Sequence, residues 1–328
     1  MQPLLRSVSL TTTHLWFTVR VVTPLTLDEY SGAALRGSFF NALWARFCVN
    51  KSAQTCAECP LHETCPVSTI VAPLREDGFW GQDIPRPYAI VPPLEGAHAY
   101  QPGEHFSFGM TLFGHVVQLL PYIMLSLSQM EAEGLGQRLL ENAGQRGRFK
   151  VEQVEVVHPW TEQKKIIYTT GQSIVNIPLI SVQATDCLQR AAQLDQHRVT
   201  LTLLTPLRLV DRKHLVKHAD LRPLLQRLLE RYFSLEQHYG NPEAQLSKEE
   251  RDRLLAQAEA VRCSDDQTYW QELLSYSNRQ KRATPIGGLL GHATLTGELS
   301  ELLPYLLLGE LIHIGKDVVK GNGWYRVS

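Results

Sequence analysis

The sequence predicts an α+β chain of two tandem ferredoxin-like domains, the first carrying a cysteine-rich metal-binding insertion. Three observations carry this. The chain contains an internal duplication. Each copy presents strand and helix signals in the same order. The length, 328 residues, suits two domains rather than one. Residues 21–27 read VVTPLTL and residues 203–209 read LLTPLRL, an offset of 182. Residues 119–125 read LLPYIML and residues 302–308 read LLPYLLL, an offset of 183. Two matched pairs at nearly one spacing mark a repeat.

In the first copy Leu15, Phe17, Val19 and Val21 alternate with Trp16, Thr18 and Arg20. Period two marks a half-buried strand. Val199, Leu201 and Leu203 do the same in the second copy, and the proline of each TPL is expected to end its strand. A helix follows each. In the first, Tyr30, Ala33, Ala34, Gly37, Phe40, Leu43, Trp44 and Phe47 are read as one apolar face. In the second, Leu221, Leu224, Leu225, Leu228, Leu229, Tyr232 and Phe233 keep the 3.6 period, with Asp220 as N-cap. Later strands follow, with Phe106, Phe108, Met110 and Leu112 in one copy and Leu289, Ala293 and Leu295 in the other. An LLPY helix, a glycine-rich segment and a short last strand close each copy. This is the order of a ferredoxin-like unit. The expected domains are residues 1–195 and 196–328, with insertions at 48–102 and 239–282. The second insertion is acidic across 241–272, net −4, and helical in pattern.

Composition sets outer limits. The net charge is −1, with 44% hydrophobic and 20% charged residues. That excludes a disordered chain and a polybasic protein that coats nucleic acid by bulk charge. No apolar run reaches the ~18 residues of a membrane span, and the N-terminus lacks a signal-peptide pattern. A cytoplasmic protein with no membrane partner is expected.

Four of the six cysteines, Cys48, Cys56, Cys59 and Cys65, lie within eighteen positions. In a reducing compartment such crowding points to metal. Cys56-Ala-Glu-Cys59 is a knuckle whose two thiolates can grip one ion, and four thiolates close a tetrahedral zinc shell. A structural zinc in the insertion at 48–66 is therefore expected, with an iron–sulfur cluster as the alternative. His62 can replace one cysteine.

Residues 313–325 read HIGKDVVKGNGWY. Gly315, Gly321 and Gly323 permit close backbone approach to an anion, and Lys316 and Lys320 add charge. The loop lacks the lysine and hydroxyl spacing of a Walker loop. Further basic spots are Arg138, Arg146, Arg148 and Lys150 in the first glycine-rich segment, and Arg279, Lys281 and Arg282 in the second copy. Together they suggest a cleft following a phosphate backbone.

With the repeat and the loop in view, the chain resembles the CRISPR-associated endoribonucleases of the RAMP superfamily that process precursor CRISPR RNA. The resemblance rests on GKDVVKGNGWY at 315–325, LPYLLLGELIH at 303–313 and RQKRATPIGGLLG at 279–291. In the first half it rests on LRGSFFNALW with the cysteine run, FSFGMTLFG at 106–114 and LPYIML at 120–125. It implies tandem ferredoxin-like (RRM-like, RAMP) domains, repeat RNA or CRISPR RNA as ligand, and other CRISPR-associated effector subunits as partners. It also implies metal-independent cleavage by an adjacent 2′-hydroxyl, giving 2′,3′-cyclic phosphate and 5′-hydroxyl ends. The alternative is a non-catalytic RAMP subunit. Many members carry a histidine on or just after the first helix, but here none occurs between His14 and His62. The catalytic candidates are Tyr30, Arg36 and His313, with Lys51 as a further cation near the first helix. The RNA-binding candidates are Arg146, Arg148, Arg279, Lys281, Arg282, Gly315, Lys316, Lys320, Gly321 and Gly323.

Overall fold

The computed structural model describes residues 9–73, 84–172, 174–277 and 282–328. It divides into two compact units. One is Thr13–Ser181; the other is Val182–Ser328 with the described residues up to Thr12. The division falls before residue 196 because Thr12 and Val182 bridge, and because residues 184–191 form a helix that belongs to the second unit with Cys187 fully buried.

The first unit contains strands β1 (Thr12–Val21) and β2 (Leu25–Leu27), helices α1 (Gly32–Phe47) and α2 (Pro66–Val71), and strands β3 (Tyr88–Val91), β4 (His98–Tyr100) and β5 (His105–Phe113). Helix α3 (Leu120–Glu133), the hairpin β6 (Leu135–Leu139) and β7 (Gln145–Gly147), and strands β8 (Phe149–Val157) and β9 (Lys164–Thr169) complete it. Its main sheet has the order β3-β5-β1-β8-β9. Leaving aside β9, this is the ferredoxin-like order in which the second and third strands lie on one side of the first and the fourth on the other.

The second unit contains α4 (Ala184–Ala191), β10 (Arg198–Leu207), the short strands β11 (Val210–Asp211) and β12 (His214–Leu215), and helices α5 (Leu221–Tyr239) and α6 (Lys248–Ala260). Strands β13 (Arg262–Gln271), β14 (Leu274–Ser277), β15 (Arg282–Pro285) and β16 (Gly288–Thr296), helix α7 (Leu303–Ile312) and strand β17 (Tyr325–Val327) follow. The sheet order β13-β16-β10-β17 repeats that of the first unit. The tandem ferredoxin-like reading therefore holds.

The alternation in β1 and β10 becomes core as expected, with Leu15, Phe17, Val19, Val21, Val199, Leu201 and Leu203 buried. Phe17 stacks on Phe108 at 4.7 Å, tying β1 to β5. The α5 stripe is buried at all seven expected positions, and Asp220 caps it by accepting from the Arg222 amide.

Four expectations change. The buried face of α1 is Leu35, Phe39, Ala42 and Leu43, while Trp44 is 38% exposed. Flanking alanines and aromatics offer two competing stripes, and packing of Phe39 edge-on against Tyr88 selects one. Pro24 follows the end of β1, but Pro206 lies inside β10, at a register irregularity between Leu203 and Leu207 where no ladder donor is required. The acidic insertion is helical only through α6. Residues 262–271 form β13, the edge strand of the second sheet, whose outward face is polar. Likewise β3, inside the expected first insertion, is a strand of the ferredoxin-like sheet itself.

Candidate functional site

The duplicated TPL motif has one job in both units. In the first, Thr23 Oγ1 accepts from the Arg148 amide at 2.8 Å, and the amides of Val22 and Thr23 donate to the Arg148 carbonyl. In the second, Thr205 Oγ1 accepts from the Trp324 amide at 2.9 Å, and Leu204 and Thr205 donate to the Trp324 carbonyl. Each threonine thus pins the residue that leaves a glycine-rich segment for the fourth strand of the ferredoxin-like order. The hydroxyl and amides satisfy one another beside the proline of each motif.

Beyond the pin the segments differ. In the first unit β6 and β7 form a hairpin in which Arg138 lies directly opposite Arg146. Like charges facing each other across a ladder are destabilising unless an anion joins them. Arg138 and Arg148 are exposed, and Arg138, Arg146 and Arg148 make no ion pair among the described residues. Leu140 at the turn is 96% exposed, while Asn142 Nδ2 anchors the hairpin to the Pro24 carbonyl at 2.7 Å. Lys150, by contrast, is held by Glu131 at 2.7 Å.

The second segment closes on itself. The Lys316 amide donates to Arg208 O, Lys320 to Asp317 O, Gly321 to Val318 O and Gly323 to Pro206 O. Lys320 Nζ pairs with Asp317 at 2.8 Å, and Asn322, buried, donates to Ile286 O at 2.8 Å. A Cβ on Gly323 would overlap the Ile314 carbonyl, and one on Gly315 would stand 2.5 Å from Arg208 O. These two glycines answer crowding by the chain's own carbonyls. The amides of Lys316, Lys320, Gly321 and Gly323 are used within the fold.

His313 is also displaced from its expected role. It follows α7 at φ 55°, is 1% exposed, and stacks on Trp324 with ring centroids 6.0 Å apart. Arg231, half-buried, donates to the carbonyls of Ile312 and His313 at 2.8–3.0 Å and satisfies the end of α7. Burial lowers the Arg231 pKa to about 10. His313 is therefore packed within the second unit.

Tyr30 lies just before α1, half-buried, and Arg36 lies in its second turn. The Arg36 guanidinium sits 5.2 Å from the Phe40 ring centroid. It also faces Tyr88, whose pKa burial raises and whose phenolate Arg36 and Arg86 favour in opposition. Lys51 cannot join Tyr30, because the whole of α1 separates them, about 24 Å at 1.5 Å per residue. Lys51 instead donates to Ala45 O and lies 5.3 Å from the Trp44 ring. Trp44, read as helix core in the sequence, is 38% exposed beside Lys51. Arg279 and Lys281 lie outside the described residues, and only the backbone of Arg282 is described.

The cysteines are partly arranged. Cys56 and Cys59 bracket a 3-10 turn in which the Cys59 amide donates to Cys56 O at 3.2 Å. Cys48 ends α1 and Cys65 precedes α2. Among the described residues no group of three or more Cys, His, Asp or Glu side chains is brought together as a metal site. As placed, the four thiols do not fit a closed tetrahedral shell.

No described helix is long and apolar enough to cross a membrane. No curated protein matches the chain. Among solved structures, a chain of a partial Cas6-RT-Cas1–Cas2 complex is similar with a TM-score of 0.60 at 12% identity, covering 98% of this chain and 46% of its own. This chain therefore spans less than half the length of that one. Thermus thermophilus Cas6 has a TM-score of 0.55 at 12% identity, covering 98% of this chain and 99% of its own. A Cas6 product complex gives 0.54 at 14% identity, covering 97% and 99%. At these identities the likeness is one of fold. Two family models divide the sequence: one described as an N-terminal domain matches residues 10–179, and CRISPR-associated endoribonuclease Cas6 matches residues 201–325. The Cas6 match thus covers most of the second 2-3-1-4 sheet and the glycine loop, and the tandem fold is one the chain shares with solved Cas6 structures.

Proposed function

We propose that this protein binds repeat RNA and cuts precursor CRISPR RNA once per repeat. The observation that carries this is the match of residues 201–325 to the endoribonuclease family, laid on two sheets of one topology. On this reading the 2′-hydroxyl upstream of the cut attacks the adjacent phosphorus. The 2′-O–P bond forms, the P–O5′ bond breaks, and the leaving 5′-oxygen gains a proton. Tyr30 takes the 2′ proton as its own phenolic proton passes to the leaving 5′-oxygen, so that the phenol is restored, and Arg36 steadies the extra charge on the phosphoryl oxygens. The nucleophile is already held beside the phosphorus by the substrate, so no metal ion is required to deliver it. CRISPR RNA is the product, and other CRISPR-associated subunits are partners consistent with the fold neighbours.

The test is incubation of purified protein with labelled repeat RNA in EDTA. A single cut with cyclic-phosphate and 5′-hydroxyl ends supports the reading. Binding without a cut overturns it and leaves a non-catalytic CRISPR RNA-binding subunit. No binding at moderate salt overturns both.

The cysteine spacing supports a separate proposal, a structural zinc on Cys48, Cys56, Cys59 and Cys65 that takes no part in the chemistry. The tight turn between Cys56 and Cys59 supports this reading. Elemental analysis finding one zinc per chain supports it. Iron with a visible absorption band, or no metal, overturns it.

A further inference from the structure

The second unit holds a basic feature outside the glycine loop. Directly after β10, residues 208–218 read RLVDRKHLVKH and fold into the hairpin β11–β12. Its two turn residues are Arg212 and Lys213, at φ 45° and 70°. A two-residue turn with both centres at positive φ is the type that favours Asn-Gly, because side chains there are strained. Placing two long cations at such a point has no packing return: Arg212, Lys213, His214 and Lys217 are all exposed.

The base of the hairpin is fixed. Arg208 donates to Gly287 O at 3.0 Å, and Arg227 donates to Val210 O at 2.8 Å. Beside it stands Trp270 of β13. Arg208 lies 5.6 Å and Lys217 5.4 Å from its ring centroid, and its indole N–H donates to Glu272 at 2.7 Å. An aromatic ring holds cations in place without neutralising them. Among the described residues no carboxylate pairs with Arg208, Arg212, Lys213 or Lys217. Two ring-held cations and two strained ones at a rigid hairpin tip therefore remain available to anions.

We propose that Arg208, Arg212, Lys213, Lys217 and Trp270 form a phosphodiester-binding subsite that holds the backbone of the bound RNA away from the cut. This rests on the proposed RNA-binding function. Backbone contacts carry no sequence information, so the subsite should hold single strands of any sequence.

The test is the replacement Arg212→Asn with Lys213→Gly. It removes two charges and installs the turn's favoured residues, so thermal stability should stay level or rise. Binding of labelled single-stranded oligouridine should weaken on the order of tenfold, and the slope of log affinity against log salt should fall by about 1.4, at about 0.7 per contact. A second variant, Lys217→Gln, leaves the turn intact and should reduce the slope by about 0.7. The control pair Lys248→Gln with Arg251→Gln removes two exposed charges from α6 and should leave both quantities unchanged. Equal losses in control and hairpin variants, an unchanged slope, or no oligouridine binding by the intact protein would overturn the proposal. The readout is binding, so absence of RNA cleavage would sink the nuclease reading and leave this one standing.

Discussion

The two glycine-rich segments are pinned alike and end up opposite in character. Thr23 and Thr205 accept from the residue entering the fourth strand of the ferredoxin-like order, at 2.8 and 2.9 Å. Past that pin, the first unit opens a hairpin bearing Arg138, Arg146 and Arg148, while the second buries His313 and pairs Lys320 with Asp317. The pin belongs to the fold. What the segment does after it is free to differ. Glycine content alone does not tell the two apart.

Acid should separate the units most strongly. His14, half-buried in the first unit beside His158 and hydrogen-bonded with Thr111, has its pKa lowered by desolvation, then by His158, to about 3. An unfolded chain protonates it near 6.5 while the folded chain does not. Stability contributed by neutral His14 is therefore full above pH 6.5 and falls as pH drops toward 3, by about 1.4 kcal/mol per pH unit. Chemical denaturation at stepped pH checks this, and His14→Gln should flatten the slope.

Next is the contrast between loop glycines. Gly323→Ala forces a side chain to positive φ against the Ile314 carbonyl and should cost about 3 kcal/mol or more. Gly144→Ala, at φ +75° with open space around it, should cost about 1 kcal/mol. Equal melting losses would break the open-versus-closed distinction. Removing the pins should cost a similar 1–2 kcal/mol each for Thr23→Val and Thr205→Val, since each leaves one amide short of its acceptor. In RNA binding, Arg138→Ala with Arg146→Ala should weaken affinity on the order of tenfold without loss of stability, because the pair repels when empty. Lys320→Ala should change affinity less than threefold, its charge being already answered by Asp317.

Much of this was legible in the sequence. The TPL and LLPY repeats, the alternation of Leu15 to Val21, and the α5 stripe all reflect local periodicity, which burial preserves. Three features were not. The face of α1 was misread because apolar residues nearly encircle it, and only contact with Tyr88 decides that Phe39 turns in and Trp44 out. Strand β13 was read as part of a helical acidic insertion, because its polar residues sit on an edge strand open to solvent. The glycines at 315 and 323 suggested an anion cradle, whereas long-range contacts with Arg208 and Ile314 use them up. The burial of His313 was hidden for the same reason, since nothing local foretells Trp324 stacking over it. The hairpin at 208–218 had a signal, four cations in eleven residues, but its short strands carry too little pattern to stand out.

The central claim is that the RNA supplies its own nucleophile to this protein. The most direct test is repeat RNA carrying a single 2′-deoxy substitution upstream of the cut, compared with unmodified RNA in EDTA. The account predicts equal binding, cleavage of the unmodified strand with a cyclic-phosphate end, and no cleavage of the deoxy strand. Cleavage of the deoxy strand at the unmodified rate would contradict it.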